Sequence, residues 1–107
     1  MTDKPLQTVN PLTEKVLETY AIMSDEAAMD VVQKSHDAFL EWRLKSLEER
    51  ASVISAIGAE LRKRKEEFAQ LMTDEVGKLL SDSRNEIELC ASICDYTATN
   101  GPGMLAD

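Results

Sequence analysis

The chain has 107 residues, 43 % of them apolar and 30 % charged, which fits one folded domain rather than a disordered segment. Twelve basic against twenty acidic side chains leave a net charge of −8, which argues against partners built on phosphate backbones or anionic membranes. No stretch approaches the roughly 20 apolar residues a membrane span needs, the first residues lack the apolar core of a secretory leader, and two cysteines do not make a disulfide framework; a cytoplasmic location is therefore expected.

Residues 1–8 read as a loose terminus. Residues 7–23 read as two short extended segments around a turn at Asn10-Pro11-Leu12-Thr13-Glu14-Lys15, because Asn and Pro favour that geometry. Val16, Leu17, Tyr20, Ile22 and Met23 form the β-prone return. Ser24 is a good N-cap, with Asp25 and Glu26 in the first turn of a helix that should end near Leu44. Ala28, Val32, Phe39 and Trp42 recur at helical spacing and mark its expected buried stripe. Ser46 and Glu49 make a capping-box pattern that starts a second helix, with Leu47, Ala51, Ile54, Ile57 and Leu61 on its apolar face. Gly58 lies on the inner side of that helix, where a missing side chain permits close packing. Residues 64–66 are a bend into a third helix with a stripe of Phe68, Met72 and Val76 and a C-cap at Gly77. A fourth helix is predicted from about Leu80 to Thr99, with Leu80, Ile87, Cys90, Ala91, Cys94 and Ala98 facing inward and Asn100-Gly101-Pro102-Gly103 ending it. The fold class is thus mainly α: a terminus and hairpin over 1–23, then a helical part over 24–107.

The residues able to carry chemistry read as structural. Cys90 and Cys94 share one helix face but have only His36 to complete a zinc set, and their neighbours Ile87, Ala91 and Ile93 suit small core thiols. His36 has no Ser or Cys placed beside it by motif and reads as a surface or partly buried side chain. Glu48-Glu49 and Glu66-Glu67 read as solvated helix faces. The basic run Arg62-Lys63-Arg64-Lys65 reads as a solvated helix end whose cations complement the dipole. None of the glycines 58, 77, 101 and 103 makes a phosphate-cradling loop between a strand and a helix.

In their order and spacing, these pieces resemble the amino-terminal region of the aldehyde dehydrogenase superfamily from about Thr8 to Asp107. Asn10-Pro11 resembles the opening hairpin turn, and Ala38-Phe39 with Trp42-Arg43 the first-helix signature. Glu48-Glu49-Arg50-Ala51 resembles the start of the family's second helix, the run Ala59 to Ala69 continues that pattern, and Glu75-Val76-Gly77-Lys78 resembles the family's Glu-x-Gly-Lys. Glu86, Cys90, Cys94, Tyr96, Asn100-Gly101-Pro102 and Leu105-Ala106-Asp107 look most like succinate-semialdehyde dehydrogenases. The chain departs at Glu14, where the family often has Gly; if the turn keeps a left-handed residue there, Glu14 costs about 1–2 kcal/mol. It departs again at Leu79, where Pro is usual.

The resemblance implies a longer NAD- or NADP-dependent enzyme in which a cysteine thiolate attacks an aldehyde and hydride passes to the nicotinamide, with all reacting groups downstream of the region matched here. It implies the first part of an α/β cofactor domain whose nucleotide-binding sheet comes from later sequence. No catalytic, cofactor-binding or metal-ligating residue is assigned among these 107, and no activity or cofactor is expected of them alone. The apolar stripes, left without that sheet, are expected to drive self-association. The alternative is a small stand-alone helical protein that binds a partner helix.

Overall fold

The computed structural model describes residues 4–107. In chain order it contains β1 (Leu6–Val9), β2 (Val16–Tyr20), α1 (Asp25–Trp42), α2 (Leu47–Lys63), α3 (Lys65–Val76) and α4 (Leu80–Leu105), the expected hairpin followed by four helices. Of the terminus expected over 1–8, residues 1–3 lie outside the described residues, and Leu6–Thr8 are strand, drawn into the ladder by Leu6 opposite Tyr20 and Thr8 opposite Glu18. Val9 then pairs with Val16, so Leu17 is the extra residue of a β-bulge. The turn closes on Asn10, whose Oδ1 accepts from the amides of Leu12 (2.9 Å) and Thr13 (3.2 Å) while its carbonyl accepts from Glu14 N (2.8 Å). Glu14 is left-handed, φ 62°, the conformation for which glycine is the low-cost residue.

The helix starts follow local chemistry. Ser24 Oγ accepts from Ala27 N at 3.1 Å, and Ser46 with Glu49 completes a reciprocal capping box at 3.1 and 2.8 Å. α2 stops at Lys63 and α3 resumes at Lys65, the predicted bend. Gly77 ends α3 in the left-handed conformation, φ 74°, with its amide on Thr73 O at 2.9 Å.

α4 lies along α2 and α3 and is the spine of the packed part. Ala69, Ile87 and Ala91 are its buried apolar residues among those described, together with Gly58 and Ser83. Gly58 is needed for close approach: a Cβ there would sit 3.0 Å from Cys94 Cβ and 3.3 Å from Ala91 O. Ser83, fully buried, shares a 2.9 Å hydrogen bond with Thr73 Oγ1 across α3 and α4.

Four expectations need correction. α4 runs to Leu105 rather than stopping near Thr99: Gly101 and Pro102 stay helical and half-buried, and they line a cleft with Leu47, Ala51 and Ile54 of α2, packing that offsets the lost proline bond. Cys90 is exposed and only Cys94 is half-buried, because α4 turns the Ile87–Ala91–Cys94 side toward α2. Val76 and Ile57 are 65 % and 46 % exposed, their stripes being wider than the surfaces that cover them. Most consequentially, α1 buries no residue. Its spacing identifies a face that wants cover, but α2 and α4 pack on each other and leave only the Trp42 end of α1 beside them.

The result is an open structure. Its radius of gyration is 18.2 Å, against about 13 Å for a compact domain of this length. It exposes 8441 Å², against roughly 5,900 Å² for a folded monomer of its mass. No helix among the described residues is long and apolar enough to cross a membrane.

Candidate functional site

Two sequence-distant motifs meet at one end of the packed part. Asn10 of the hairpin turn, Gly77 and Lys78 of the α3–α4 joint, and Gln70, Thr73 and Asp74 of α3 line one shallow cleft. Pro11 lies against Gly77, where a Cβ would come within 3.1 Å of Pro11 Cγ. Gly77 is therefore constrained twice, by its left-handed backbone and by the proline. Lys78 forms an ion pair with Glu86 of α4, which holds its ammonium protonated above the usual lysine range. Leu79, in place of the usual proline, has φ −58°, a value a proline ring also adopts. The cleft is a joint: Pro11 against Gly77 seats the hairpin on the end of α3, and the Thr73–Ser83 and Lys78–Glu86 contacts fix α3 to α4.

Arg62 and Lys65 of the basic run make a second joint. Arg62 Nε donates to Glu88 at 2.9 Å and Arg62 Nη2 pairs with Asp95 at 2.7 Å, tying α2 to α4. Lys65 lies 3.8 Å from the same Glu88, and Arg64 is bonded to Glu67 at 2.7 and 2.9 Å. Arg62 holds the Asp95 carboxyl below the ordinary aspartate range, and Arg64 does the same for Glu67. The sequence alone suggests a solvated helix end for this run; the partners on α4 lie 26 and 33 positions from Arg62 and leave no local signal. Of the acidic pairs, Glu49 is held low by the Ser46 amide and hydroxyl. Glu66 accepts from Arg84 at 3.0 Å, while Glu48 has no charged partner among the described residues. Glu49, Glu66 and Glu67 are tied to a cap or to cations on the surface, and no two of these carboxylates pair with each other.

The remaining residues weighed for chemistry stay apart. His36 is exposed on α1 with its ring 6.2 Å from that of Phe39. Among the described residues no group of three or more His, Cys, Asp or Glu side chains could hold a metal ion. The glycines do not build a dinucleotide cradle: Gly58 is inside α2, Gly77 ends a helix, and Gly101 and Gly103 lie within α4. The starts of α1 and α2 are occupied by their own serine caps.

What remains open is apolar. A cleft lined by Trp42, Leu47, Ala51, Ile54, Pro102 and Leu105 separates the end of α1 from α2 and α4, with Arg50 Nε covered there and donating to no protein acceptor. A shallow groove on α1 itself is lined by Ala38, Phe39 and Trp42. Such surfaces suit packing against more protein rather than turnover of a small molecule.

Comparison with known proteins agrees with this geometry. Residues 1–105 match the model of the aldehyde dehydrogenase family. The chain is 31 % identical over 103 residues to a succinate-semialdehyde dehydrogenase [NADP(+)] of Deinococcus radiodurans, covering 96 % of this chain and 22 % of that one. It is 34 % identical to a succinate semialdehyde dehydrogenase [NAD(P)+] of Escherichia coli, covering 91 % and 21 %. Its fold superposes with a TM-score of 0.87 and 35 % identity on the succinic semialdehyde dehydrogenase of Streptococcus pyogenes, solved with NADP+, over 94 % of this chain and 22 % of that one. The chain thus spans about a fifth of the length of the relatives it matches.

Proposed function

The chain belongs to the aldehyde dehydrogenase family, and from that premise we propose that it is the amino-terminal wall of a cytoplasmic, NAD(P)-dependent enzyme acting on succinate semialdehyde, and performs no turnover by itself. The observation that carries this is the coincidence of near-complete coverage of this chain with about one-fifth coverage of relatives named for that activity. Supporting it, the residues present form two structural joints and leave their largest apolar faces uncovered. What this chain contributes is shape: the hairpin locked to α3 through Gly77 and Pro11, and the α2–α4 pair locked through Gly58 and Arg62. Nicotinamide chemistry, and the choice between NAD and NADP, belong to residues outside this stretch.

The purified chain incubated with succinate semialdehyde and NAD+ or NADP+ is expected to give no reduced nicotinamide and to retain no dinucleotide after gel filtration. Turnover, or a tightly held dinucleotide, overturns the assignment of the chain as an inert wall. The parent activity is tested by extending the chain with whatever its gene encodes after Asp107; absence of aldehyde-dependent reduction of either nucleotide by that product overturns it. The bare face of α1 favours a second reading, a small helical module that binds a partner helix, which a stop codon directly after Asp107 would support.

A further inference from the structure

We propose that α1 is a self-pairing helix, through which two copies of this chain associate antiparallel about a two-fold axis near Ser35. Ala28, Val32, Ser35, Phe39 and Trp42 follow one another at intervals of 4, 3, 4 and 3, the spacing of a coiled-coil seam. None of them is buried: Val32 is 60 %, Phe39 52 % and Trp42 37 % exposed.

The seam is complementary to its own reverse. Turned end for end about Ser35, it sets small Ala28 against large Trp42 and Val32 against Phe39, with Ser35 against its own copy. Charge follows the same symmetry. Asp25 and Glu26 open the helix and Arg43 and Lys45 follow its end, so each acidic start meets a basic finish and the two helix dipoles oppose favourably. Asp30 and Asp37 project from the far side of the helix, at about 180° from the seam on a 100° wheel, so their charges lie away from the contact. Area is sufficient. The whole chain exposes roughly 2,500 Å² beyond what a folded chain of its mass does, and α1, which buries no residue, holds part of that excess, whereas a standard interface takes about 800 Å² per partner. The inference rests on the reading of this chain as a wall whose covering sequence lies elsewhere, but the two fail separately: one by enzyme assay, the other by mass and cross-linking.

Multi-angle light scattering of the 107-residue chain at high micromolar concentration is expected to give twice the monomer mass. Val32→Asp and Phe39→Asp, both at exposed positions that leave the α2–α4 packing untouched, should each weaken the dimer about a hundredfold, while Asp37→Lys on the far side leaves it intact. In a Cys90→Ser, Cys94→Ala background whose circular dichroism matches the parent, Ser35→Cys should form a covalent dimer under mild oxidation and Asp37→Cys should not. A monomer at that concentration, a dimer unaffected by V32D and F39D, or cross-linking at position 37 in preference to 35 overturns the proposal. If the chain extended past Asp107 loses the Ser35→Cys cross-link while the 107-residue chain keeps it, the pairing stands as a property of the uncovered helix.

Discussion

At the scale of single residues, Glu14 shows how local chemistry and a backbone requirement can conflict. Asn10 organises the turn through four hydrogen bonds, and the chain then needs a left-handed residue to re-enter β2. A glutamate adopts that conformation at a cost a glycine does not bear. Glu14→Gly is expected to stabilise the chain by about 1 kcal/mol, read as a rise in the thermal midpoint of roughly 4–8 °C; an unchanged midpoint means the hairpin does not contribute to the cooperative unit. Signals of this kind are legible in the sequence because their cause lies within a few residues. The Ser24 cap, the Ser46–Glu49 box and the Gly77 stop are all local. The settings of Ser83 and Cys90 are not legible, since which side of α4 is covered depends on where α2 and α3 lie.

At the scale of elements, the contact between α2 and α4 depends on one missing side chain. A Cβ on residue 58 meets Cys94 Cβ at 3.0 Å and a backbone carbonyl at 3.3 Å. Alanine there gains up to about 1 kcal/mol of helix propensity and loses a comparable amount to crowding, so it is a poor probe. Gly58→Leu forces the helices apart, and overpacking of that size costs about 1–3 kcal/mol or more. Denaturant titration followed by circular dichroism should show the lower midpoint, and Cys94→Gly should recover part of it. An unchanged midpoint for Gly58→Leu would mean the two helices are not in close contact. Periodicity and family resemblance put Gly58 and the Arg62 run into the right helices, but their partners on α4 are invisible until the helices are placed. The extension of α4 past Pro102 escapes the sequence for the same reason: the stop signal belongs to the chain alone, and packing on α2 outweighs it.

At the scale of the whole molecule, stability rests on little burial and on surface ion pairs and caps, and this gives it a pH signature. Glu49, Glu67 and Asp95 are all held below their ordinary values, by the Ser46 cap, Arg64 and Arg62 respectively. A group whose folded value is depressed binds its proton more readily when unfolded, so its contribution is complete above the unfolded value and is lost as pH falls through the folded one. Stability should therefore be flat at neutral pH and decline below about pH 4, with Asp95→Asn and Glu49→Gln each lowering the neutral plateau and flattening the decline. A midpoint that rises on acidification would contradict this. The amphipathic pattern of α1 is legible, and the resemblance names the region correctly; what the pattern cannot encode is the identity of the cover, because periodicity measures a demand for contact and says nothing of its supplier.

The bulge at Leu17 has an effect that reaches past the hairpin. A two-stranded ribbon offers both of its outer edges to other ribbons, and this one is exposed along almost its entire length and rich in Val, Leu, Thr and Tyr. Flat ribbons of such composition stack into filaments. The extra residue, together with the left-handed turn beside it, coils the ribbon out of plane, so neighbouring molecules cannot continue its ladder in register. In a chain with so much apolar surface on show, that twist makes its exposed ribbon a poorer template for edge-to-edge stacking.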